Sequence, residues 1–469
     1  MSQLPARRRA RLRARPVTAL AVALSLCAAP FALAEPFTGL APAFDGSIRA
    51  SGIDRAPITA GTDVTVSGSG LIPGQTVTLR SNGAPLTTAA PITVDADGAF
   101  ETTLTLPDTA EPGTYPVVAE LDGPDYAMIV DLKISPVLPE TGSFDTVDRQ
   151  LAPGLYQVAR AADGGALYVT SAVGRPPVTQ SELLKLDPET FDIIARTTPQ
   201  AAPAREDGRD GGLYAVYGVG IAAEAGQVWV SNTRQDTVAV YDADDLSLLK
   251  QFEPGTIGHP RDVVEYDGKV YVSATFLPEI HVFDAESMTH EGVIELTSSR
   301  RRTDFGTASL QLDADRGRLF VVSLTSDEVA VVDLTSGTQS AVWPLTGSKG
   351  TIGVGYDPKS DRIFTAGQGS DNVQILDAAS GELLHDVPVG ANPLNIAVDP
   401  ETGTAFVAVR GSHSVVTVTP EGEVTGTLTV GSLPNHLIAD GAGGVLLVNK
   451  RNGEDDPSGD HITRITPQG

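Results

Sequence analysis

A short strand motif recurs seven times between Leu155 and Ile465, and this repetition constrains the fold more than any other feature of the chain. The motif is a run of β-branched and aromatic residues, such as LYVT at Leu167, VWVSN at Val228 and LFVVS at Leu319. Repeats of about 40 residues with three or four short strands each are typical of a β-propeller, because one unit cannot bury its own faces. One position of the motif, here called the aromatic position, holds an aromatic side chain or, in the last unit, leucine. Its residues are Tyr168, Trp229, Tyr271, Phe320, Phe364, Phe406 and Leu446.

Five of the units continue with an apolar strand that ends in an aspartate turn, as in LLKLDPET and VAVYDADDL. Helix signals are nearly absent, and the 48 glycines and 33 prolines punctuate short runs rich in Val, Ile and Thr. This pattern predicts an all-β chain built around a seven-bladed propeller. The turn aspartates are Asp187, Asp242, Asp284, Asp333 and Asp377.

Residues 1–34 are predicted to be a signal peptide rather than part of the fold. Six arginines between Arg7 and Arg15 precede an apolar run that begins at Val17, and Ala32-Leu33-Ala34 offers a small-x-small cleavage site. No second long apolar stretch follows, so no membrane span is expected in the mature chain. The protein is therefore expected to be exported, to the periplasm or the extracellular space.

The composition excludes some classes of chemistry. The only cysteine, Cys27, lies in the predicted signal peptide, so the mature chain has no disulfide, no thiol nucleophile and no cysteine metal site. The net charge of −26 opposes long-range attraction to nucleic acid and anionic membranes, although a local basic patch can still bind an anion.

Residues 36–135 differ from the repeats, being rich in Thr, Gly and Ala and poor in aromatic residues. Alternating segments such as DVTVSGSG at Asp63 and MIVDLKI at Met128 indicate an N-terminal β-sandwich. The run GSGLIPGQTVTL…DADGAFETTLTLP resembles bacterial immunoglobulin-like repeats. Residues 136–145 are predicted to be a linker and residues 146–469 the propeller. The last unit is one strand short, so a strand near Thr146–Leu151 is expected to complete it and close the ring.

The propeller resembles the YVTN-repeat propellers, and more closely the YncE-like periplasmic proteins, from about Leu155 onward. The resemblance is carried by ALYVTS followed by LLKLDPETFDIIA, by HPRDVV at His259, and by LPNHLIAD through VLLVNKRNGEDDPSGDHITRI. It implies seven blades, a periplasmic location and binding of single-stranded DNA rather than catalysis.

Loop lengths indicate which face carries a site. The long segments, such as Ser171–Glu182, Thr197–Leu213 and Thr297–Thr307, all fall on the face where inner strands begin, and variable loops on a rigid scaffold usually carry function. Polar residues at the strand starts and basic residues of the loops form a candidate ligand site at the mouth of the channel. They are His259, Arg261, Asn392, Asn395, Asn435, His436, Asn232, Arg234, Arg300, Arg301, Arg302, Arg410, Lys450 and Arg451.

The sequence favours a non-enzymatic binding protein whose partner is an unknown protein or an anionic ligand. No catalytic motif such as GxSxG or HExxH is present, and no catalytic residues, metal ligands or cofactor are predicted. The alternative is a metal-dependent lactonase-type hydrolase or a quinoprotein-like enzyme, which would use calcium or pyrroloquinoline quinone. In the hydrolase, Asn392, Asn395 and Asn435 would supply metal-ligand oxygens.

Overall fold

The structure, a computed structural model, describes residues 45–86, 91–123, 125–205 and 207–468. The predicted signal peptide lies outside the described residues. The regular structure within them is β, apart from one 3₁₀ turn at Ile53–Arg55. No helix in this part of the chain is long and apolar enough to cross a membrane.

Two sheets form the N-terminal part. Alternate residues are buried in both, for example Val64 and Val66 in one and Val77 and Leu79 in the other, as expected for strands with one face toward a core. One sheet has the order β1-β2-β6, and the other has the order β4-β3-β7-β8 with β5 also on β3. The strands are β1 (Ser47–Gly52), β2 (Asp63–Ser69), β3 (Thr76–Ser81), β4 (Ala84–Pro85), β5 (Ile92–Thr93), β6 (Phe100–Thr105), β7 (Gly113–Asp122) and β8 (Tyr126–Ile134).

Seven four-stranded antiparallel sheets follow, here numbered 1 to 7 in chain order. Sheets 1 to 3 contain β10 (Leu155–Arg160), β11 (Leu167–Val173), β12 (Gln180–Leu186) and β13 (Ile193–Thr197); β14 (Val216–Ala222), β15 (Gln227–Asn232), β16 (Thr237–Asp242) and β17 (Leu248–Gln251); and β18 (Pro260–Tyr266), β19 (Lys269–Ala274), β20 (Glu279–Asp284) and β21 (Thr289–Glu295).

Sheets 4 to 6 repeat the same plan. They contain β22 (Thr307–Asp313), β23 (Arg318–Ser323), β24 (Glu328–Asp333) and β25 (Thr338–Pro344); β26 (Thr351–Asp357), β27 (Arg362–Gly367), β28 (Asn372–Asp377) and β29 (Leu383–Pro388); and β30 (Pro393–Val398), β31 (Ala405–Val409), β32 (Ser414–Val418) and β33 (Val424–Thr429). Sheet 7 contains β34 (Pro434–Ala439), β35 (Val445–Asn449), β36 (His461–Pro467) and β9 (Phe144–Gln150).

The sheets form a closed ring around their first strands. Each first strand contacts the first strand of the next sheet, and β34 of sheet 7 contacts β10 of sheet 1. The expectation that an N-terminal strand completes the last unit is confirmed, because β9 pairs with β36 from Phe144 opposite Pro467 to Gln150 opposite His461. This pairing joins the first and last strands of the ring in one sheet, so β36 has no unpaired edge.

The aromatic position of the repeat motif is buried in all seven sheets, where its residues are between 0% and 5% exposed. Trp229 shows why: it packs against Phe252 of its own sheet and Phe283 of the next, with ring centroids 5.8 and 5.4 Å away. Aromatic residues at this position therefore fill the space between neighbouring sheets.

The predicted aspartate turns have a common hydrogen-bond pattern. Asp284 Oδ1 accepts from Ser287 N at 2.8 Å, and Asp333 Oδ1 accepts from Ser336 N at 2.8 Å. These backbone bonds are the main reason that the pKa of both carboxyl groups is lowered. Aspartate recurs here because its side chain satisfies the turn's free N–H groups.

The chain between β8 and β9 lies against the ring. Thr141 exchanges two backbone hydrogen bonds with Thr427 of sheet 6, at 3.1 and 3.0 Å. Just upstream, Lys133 of β8 places its Nζ 2.7 Å from Asp371 Oδ1 and 3.1 Å from Asn392 Oδ1. The N-terminal part is thus fixed to sheets 5 and 6 by a backbone bridge and an ion pair.

Candidate functional site

Each of the seven first strands carries a β-bulge directly after its first residue. A bulge bends the strand and re-aims the extra side chain. We call the second residue of each first strand a mouth residue and the third a belt residue, so there are seven of each. The mouth residues are Tyr156, Tyr217, Arg261, Ala308, Ile352, Leu394 and Asn435. The belt residues are Gln157, Gly218, Asp262, Ser309, Gly353, Asn395 and His436.

The mouth residues line a cavity of about 300 Å³ at the end of the channel where the first strands begin, with Ala308 the exception. A second set of side chains comes from just beyond the ends of the second strands and completes this cavity, here called the mouth. That set comprises Thr233, Arg234, Thr275, Phe276, Leu324, Gln368 and Arg410.

Three belt residues, Gln157, Gly218 and His436, also line the mouth. Four of the seven belt residues accept, through their side chains, a hydrogen bond from a backbone N–H of the following sheet, which ties neighbouring sheets together. Gly218 has no side chain because a Cβ there would lie 1.8 Å from Arg261 O. The four bonds join Val219 N to Gln157 at 3.1 Å, Leu310 N to Asp262 at 3.1 Å, Leu437 N to Asn395 at 2.6 Å, and Val158 N to His436 at 3.4 Å.

The belt separates the mouth from a second cavity of about 470 Å³ in the channel, and Gln157 and His436 line both. Burial lowers the pKa of His436 to about 4, so the imidazole is neutral at physiological pH. Its Nδ1 accepts the Val158 N–H, which leaves the ring proton on Nε2.

Aromatic rings and basic groups are interleaved at one side of the mouth. The rings of Tyr156 and Tyr217 meet edge to face with centroids 3.9 Å apart. Lys450 Nζ lies 3.4 Å from the Tyr156 centroid, and Arg234 Nε donates to the Tyr217 hydroxyl at 3.2 Å. Arg410 donates to Asn435 Oδ1. The rings therefore hold the cations in place without neutralising them.

The positive charge at the mouth is largely uncompensated. Within the described residues, no carboxylate lies within ion-pair distance of Arg234, Arg410 or Lys450. Burial, with a further contribution from Arg410, lowers the pKa of Lys450 to about 7. Burial also lowers the pKa of Arg410 and raises that of Tyr156 to about 12. An anion at this position would relieve the repulsion among these groups.

Two buried polar atoms at the mouth lack a partner. Arg261 Nε and Thr275 Oγ1 make no hydrogen bond, although Thr275 is only 6% exposed. The Asp262 carboxylate lies 3.5 Å from Arg261 Nε, but the contact does not have hydrogen-bond geometry. Buried donors without partners are costly, so these atoms are suited to receive a ligand's acceptor groups.

The structure brings half of the sequence-predicted residues together. Six line the mouth, and Lys450 adjoins it through Tyr156. The six are Arg234, His259, Arg261, Arg410, Asn435 and His436. His259 is half-buried with a lowered pKa caused by burial, and its ring centroid is 5.6 Å from that of the exposed Phe276.

The other predicted basic residues lie elsewhere or are neutralised. Arg300, Arg301 and Arg302 are exposed on the segment before β22 and do not line the mouth. Arg451 pairs with Asp460, with Nε 3.3 Å from Oδ2.

The remaining asparagines have structural partners. Asn392 Oδ1 accepts from Lys133, and Asn232 Oδ1 accepts from Gln251 at 3.2 Å. Asn395 belongs to the belt and lines the second cavity instead of the mouth. No group of three or more His, Cys, Asp or Glu among the described residues is arranged to hold a metal ion.

The sequence reasoning missed Tyr156, Tyr217, Thr275 and Phe276. Tyr156 and Tyr217 occupy the same repeat position as Arg261 and Asn435, which were predicted. An alignment of the seven units on the first strand would have revealed them, since equivalent positions of a ring converge on its axis.

Comparisons with solved structures support a β-propeller fold. Similar structures include hydrazine synthase of Kuenenia stuttgartiensis, at 16% identity and a TM-score of 0.53, covering 68% of this chain and 96% of that one. Virginiamycin B lyase from Staphylococcus aureus is similar at 12% identity and 0.53, covering 70% and 100%. The WD40 repeats of RRP9 are similar at 9% and 0.54, covering 70% and 99%. These neighbours include both enzymes and WD40 repeats, and at such identities the likeness shows the fold alone. No family model and no curated protein matches the chain.

Proposed function

We propose that the chain is an exported, non-enzymatic binding protein whose propeller takes an anionic ligand at the mouth. One observation carries this proposal. Arg234, Arg261 and Arg410 line the mouth, no Asp or Glu among the described residues does, and yet the whole chain has a net charge of −26. Arg261 Nε lies 3.5 Å from Asp262 Oδ1, but Arg234 and Arg410 have no carboxylate partner among the described residues. Unpaired guanidinium groups bind carboxylate or phosphate oxygens well.

The same proposal includes the finer architecture. Seven four-stranded sheets in a ring support a seven-bladed propeller of the YVTN type. The alternating burial of the two N-terminal sheets supports an immunoglobulin-like sandwich, for which we propose a role as spacer or adhesive module. The arginine-rich segment at residues 7–15 and the apolar run after it support export to the periplasm or beyond.

Single-stranded DNA is the polymer that the YncE-like resemblance suggests. Proteins that bind single strands combine aromatic platforms with a positive groove. The mouth has both, because Tyr156, Tyr217 and Phe276 lie beside its arginines.

The hydrolase alternative receives less support from the geometry. The oxygens it would use as metal ligands already accept protein hydrogen bonds: Asn392 from Lys133, Asn395 from Leu437 N and Asn435 from Arg410. An amide oxygen can accept a second partner, but the Lys133 ammonium beside Asn392 and the Arg410 guanidinium beside Asn435 would repel a divalent cation. We therefore propose no calcium for this site.

The proposal predicts salt-dependent binding of a thymidylate oligomer of about 12 nucleotides at the mouth. Arg410→Met should weaken binding about tenfold or more, because a charge-assisted hydrogen bond contributes about 1.5–3 kcal/mol. Fluorescence anisotropy at salt concentrations between about 50 and 200 mM measures both effects.

Arg302→Met is the matched control, since Arg302 is an exposed arginine that does not line the mouth. It should leave the dissociation constant nearly unchanged. Equal losses for Arg302→Met and Arg410→Met would mean that DNA binds the outer surface and that the mouth is not its site.

The titration of Lys450 predicts that anion binding weakens as pH rises through about 7. Below that pH the ammonium is charged and attracts the ligand, and above it the amine is neutral. Burial lowers the pKa of both mouth histidines, that of His436 to about 4, which moves their titration away from that of Lys450. We expect a loss of several-fold, up to about tenfold, between about pH 6 and 8.5.

Lys450→Met should bind weakly at both pH values and remove most of the dependence. The neighbouring guanidinium groups of Arg234 and Arg410 stay charged throughout this range, so they supply no competing explanation. An unchanged pH profile in this variant would show that Lys450 does not sense the ligand.

A further inference from the structure

The mouth has two chemically different sides, and the ring order determines where they lie. The mouth residues of sheets 7, 1, 2 and 3 are Asn435, Tyr156, Tyr217 and Arg261. Those of sheets 4, 5 and 6 are Ala308, Ile352 and Leu394. Ala308 does not line the cavity, so the apolar arc consists of Ile352 and Leu394 of the consecutive sheets 5 and 6, and the polar residues form the rest of the rim.

Side chains beyond the second strands extend both sides. Leu324, which follows β23 of sheet 4, lines the mouth beside Ile352 and packs against the core cluster that contains it. Arg234 lies on the polar side, and Arg410 stands at the boundary, where it donates to Asn435. Thr275 adds a buried hydroxyl without a partner on the polar side. The second layer repeats this division only in part, because Leu324 is followed around the ring by the polar Gln368 of sheet 5, and the aromatic Phe276 lies on the polar side.

We infer that the mouth binds a small organic anion with an apolar body, such as a medium-chain or aryl carboxylate or phosphate. The anionic head would accept hydrogen bonds from Arg261, Arg410 and Thr275, and the body would cover Ile352, Leu394 and Leu324. This inference rests on the proposed function and narrows it to a class of ligand.

Size and shape favour this class. The cavity of about 300 Å³ is at the lower end of the range for small-molecule sites. An inorganic oxyanion would leave the apolar arc in contact with water, whereas an apolar body would bury it. A cationic amphiphile would be repelled by three arginines, and a neutral one would leave their charge uncompensated.

Isothermal titration calorimetry with four probes tests the inference: octanoate, acetate, 1-octanol and octylammonium. We expect octanoate to bind one per chain and at least tenfold more tightly than acetate or 1-octanol, with no binding of octylammonium. Arg410→Met should weaken octanoate binding at least tenfold. Leu324→Ala should weaken octanoate about threefold and leave acetate unchanged. Arg302→Met is the control, and circular dichroism checks that each variant is folded.

Three results would overturn the inference while leaving anion binding intact. The first is equal affinity for octanoate and acetate, and the second is octylammonium that binds as well as octanoate. The third is an octanoate affinity that neither Leu324→Ala nor Arg410→Met changes, although Arg410→Met abolishes acetate binding. If octanoate, acetate and the thymidylate oligomer all fail to bind the folded chain, the proposed function itself is wrong. Binding of the oligomer alone would contradict the small-ligand class and favour the polymer.

Discussion

Lys133→Met is expected to loosen the N-terminal sheets from the ring and to lower the free energy of unfolding by about 2–4 kcal/mol. The reason is Asp371, whose side chain is 3% exposed and lies 2.7 Å from Lys133 Nζ. Without that cation the carboxylate stays buried with no opposite charge, and its Oδ2 already lacks a partner. Urea denaturation followed by the fluorescence of Trp229 and Trp343, both in the ring, measures the loss. Amide hydrogen exchange at Thr427 reports on the loosened bridge.

A second substitution separates charge burial from lost packing. Adding Asp371→Asn to Lys133→Met removes the stranded charge but keeps an oxygen that can accept the Asn392 N–H. The double variant should recover most of the lost stability. If Lys133→Met unfolds within about 0.5 kcal/mol of the wild type, the ion pair does not hold the two parts together.

Trp229→Ala is expected to cost about 3–5 kcal/mol of unfolding free energy. The indole is fully buried between sheets 2 and 3, and its Nε1 donates to Gln227 Oε1 at 2.8 Å. The substitution leaves a cavity against Phe252 and Phe283, and the Gln227 oxygen loses a bond. The midpoint of urea denaturation, now followed by circular dichroism, measures the change.

Trp343 is the natural control for this experiment. It is the only other tryptophan of the chain and lies half-buried on β25, the outermost strand of sheet 4. Trp343→Ala should cost about 1–2 kcal/mol because solvent already reaches part of the ring. Equal losses of unfolding free energy in the two variants would contradict the view that the aromatic position of the repeat fills the space between sheets.

The repeat made most of the fold predictable, because the pattern that builds each sheet is local. Positions such as Phe320 and Phe406 are buried where the motif placed them, and Asp377 makes its turn bonds as expected. The closing strand was predictable by counting, since the last unit lacked one. The docking of Lys133 on Asp371 was not, because no local signal links residues so far apart in the chain.

The site was predictable only in part. Arg261 and Arg410 were predicted from their place at strand ends, and they do converge. The run Arg300–Arg302 was predicted to belong to the site because of its charge. It lies on an exposed loop, and its position in the repeat does not direct it toward the axis. Tyr156 and Tyr217 were missed because their role follows from register around the ring rather than from residue type. Residues at equivalent positions of the repeats converge at the axis of a propeller, and residue type alone does not identify those positions.

The closing of the ring by β9 and β36 has a consequence for how the protein is made. Asp148 and His461, hydrogen-bonded across that ladder at 2.8 Å, are 313 residues apart in the chain. The strand β9 leaves the ribosome long before β36 is made, so the ring stays open until β36 has been synthesised. A chain cut short before β36 keeps an unpaired edge that can join another copy or be degraded. The order of the strands thus ensures that only chains containing both β9 and β36 close the ring.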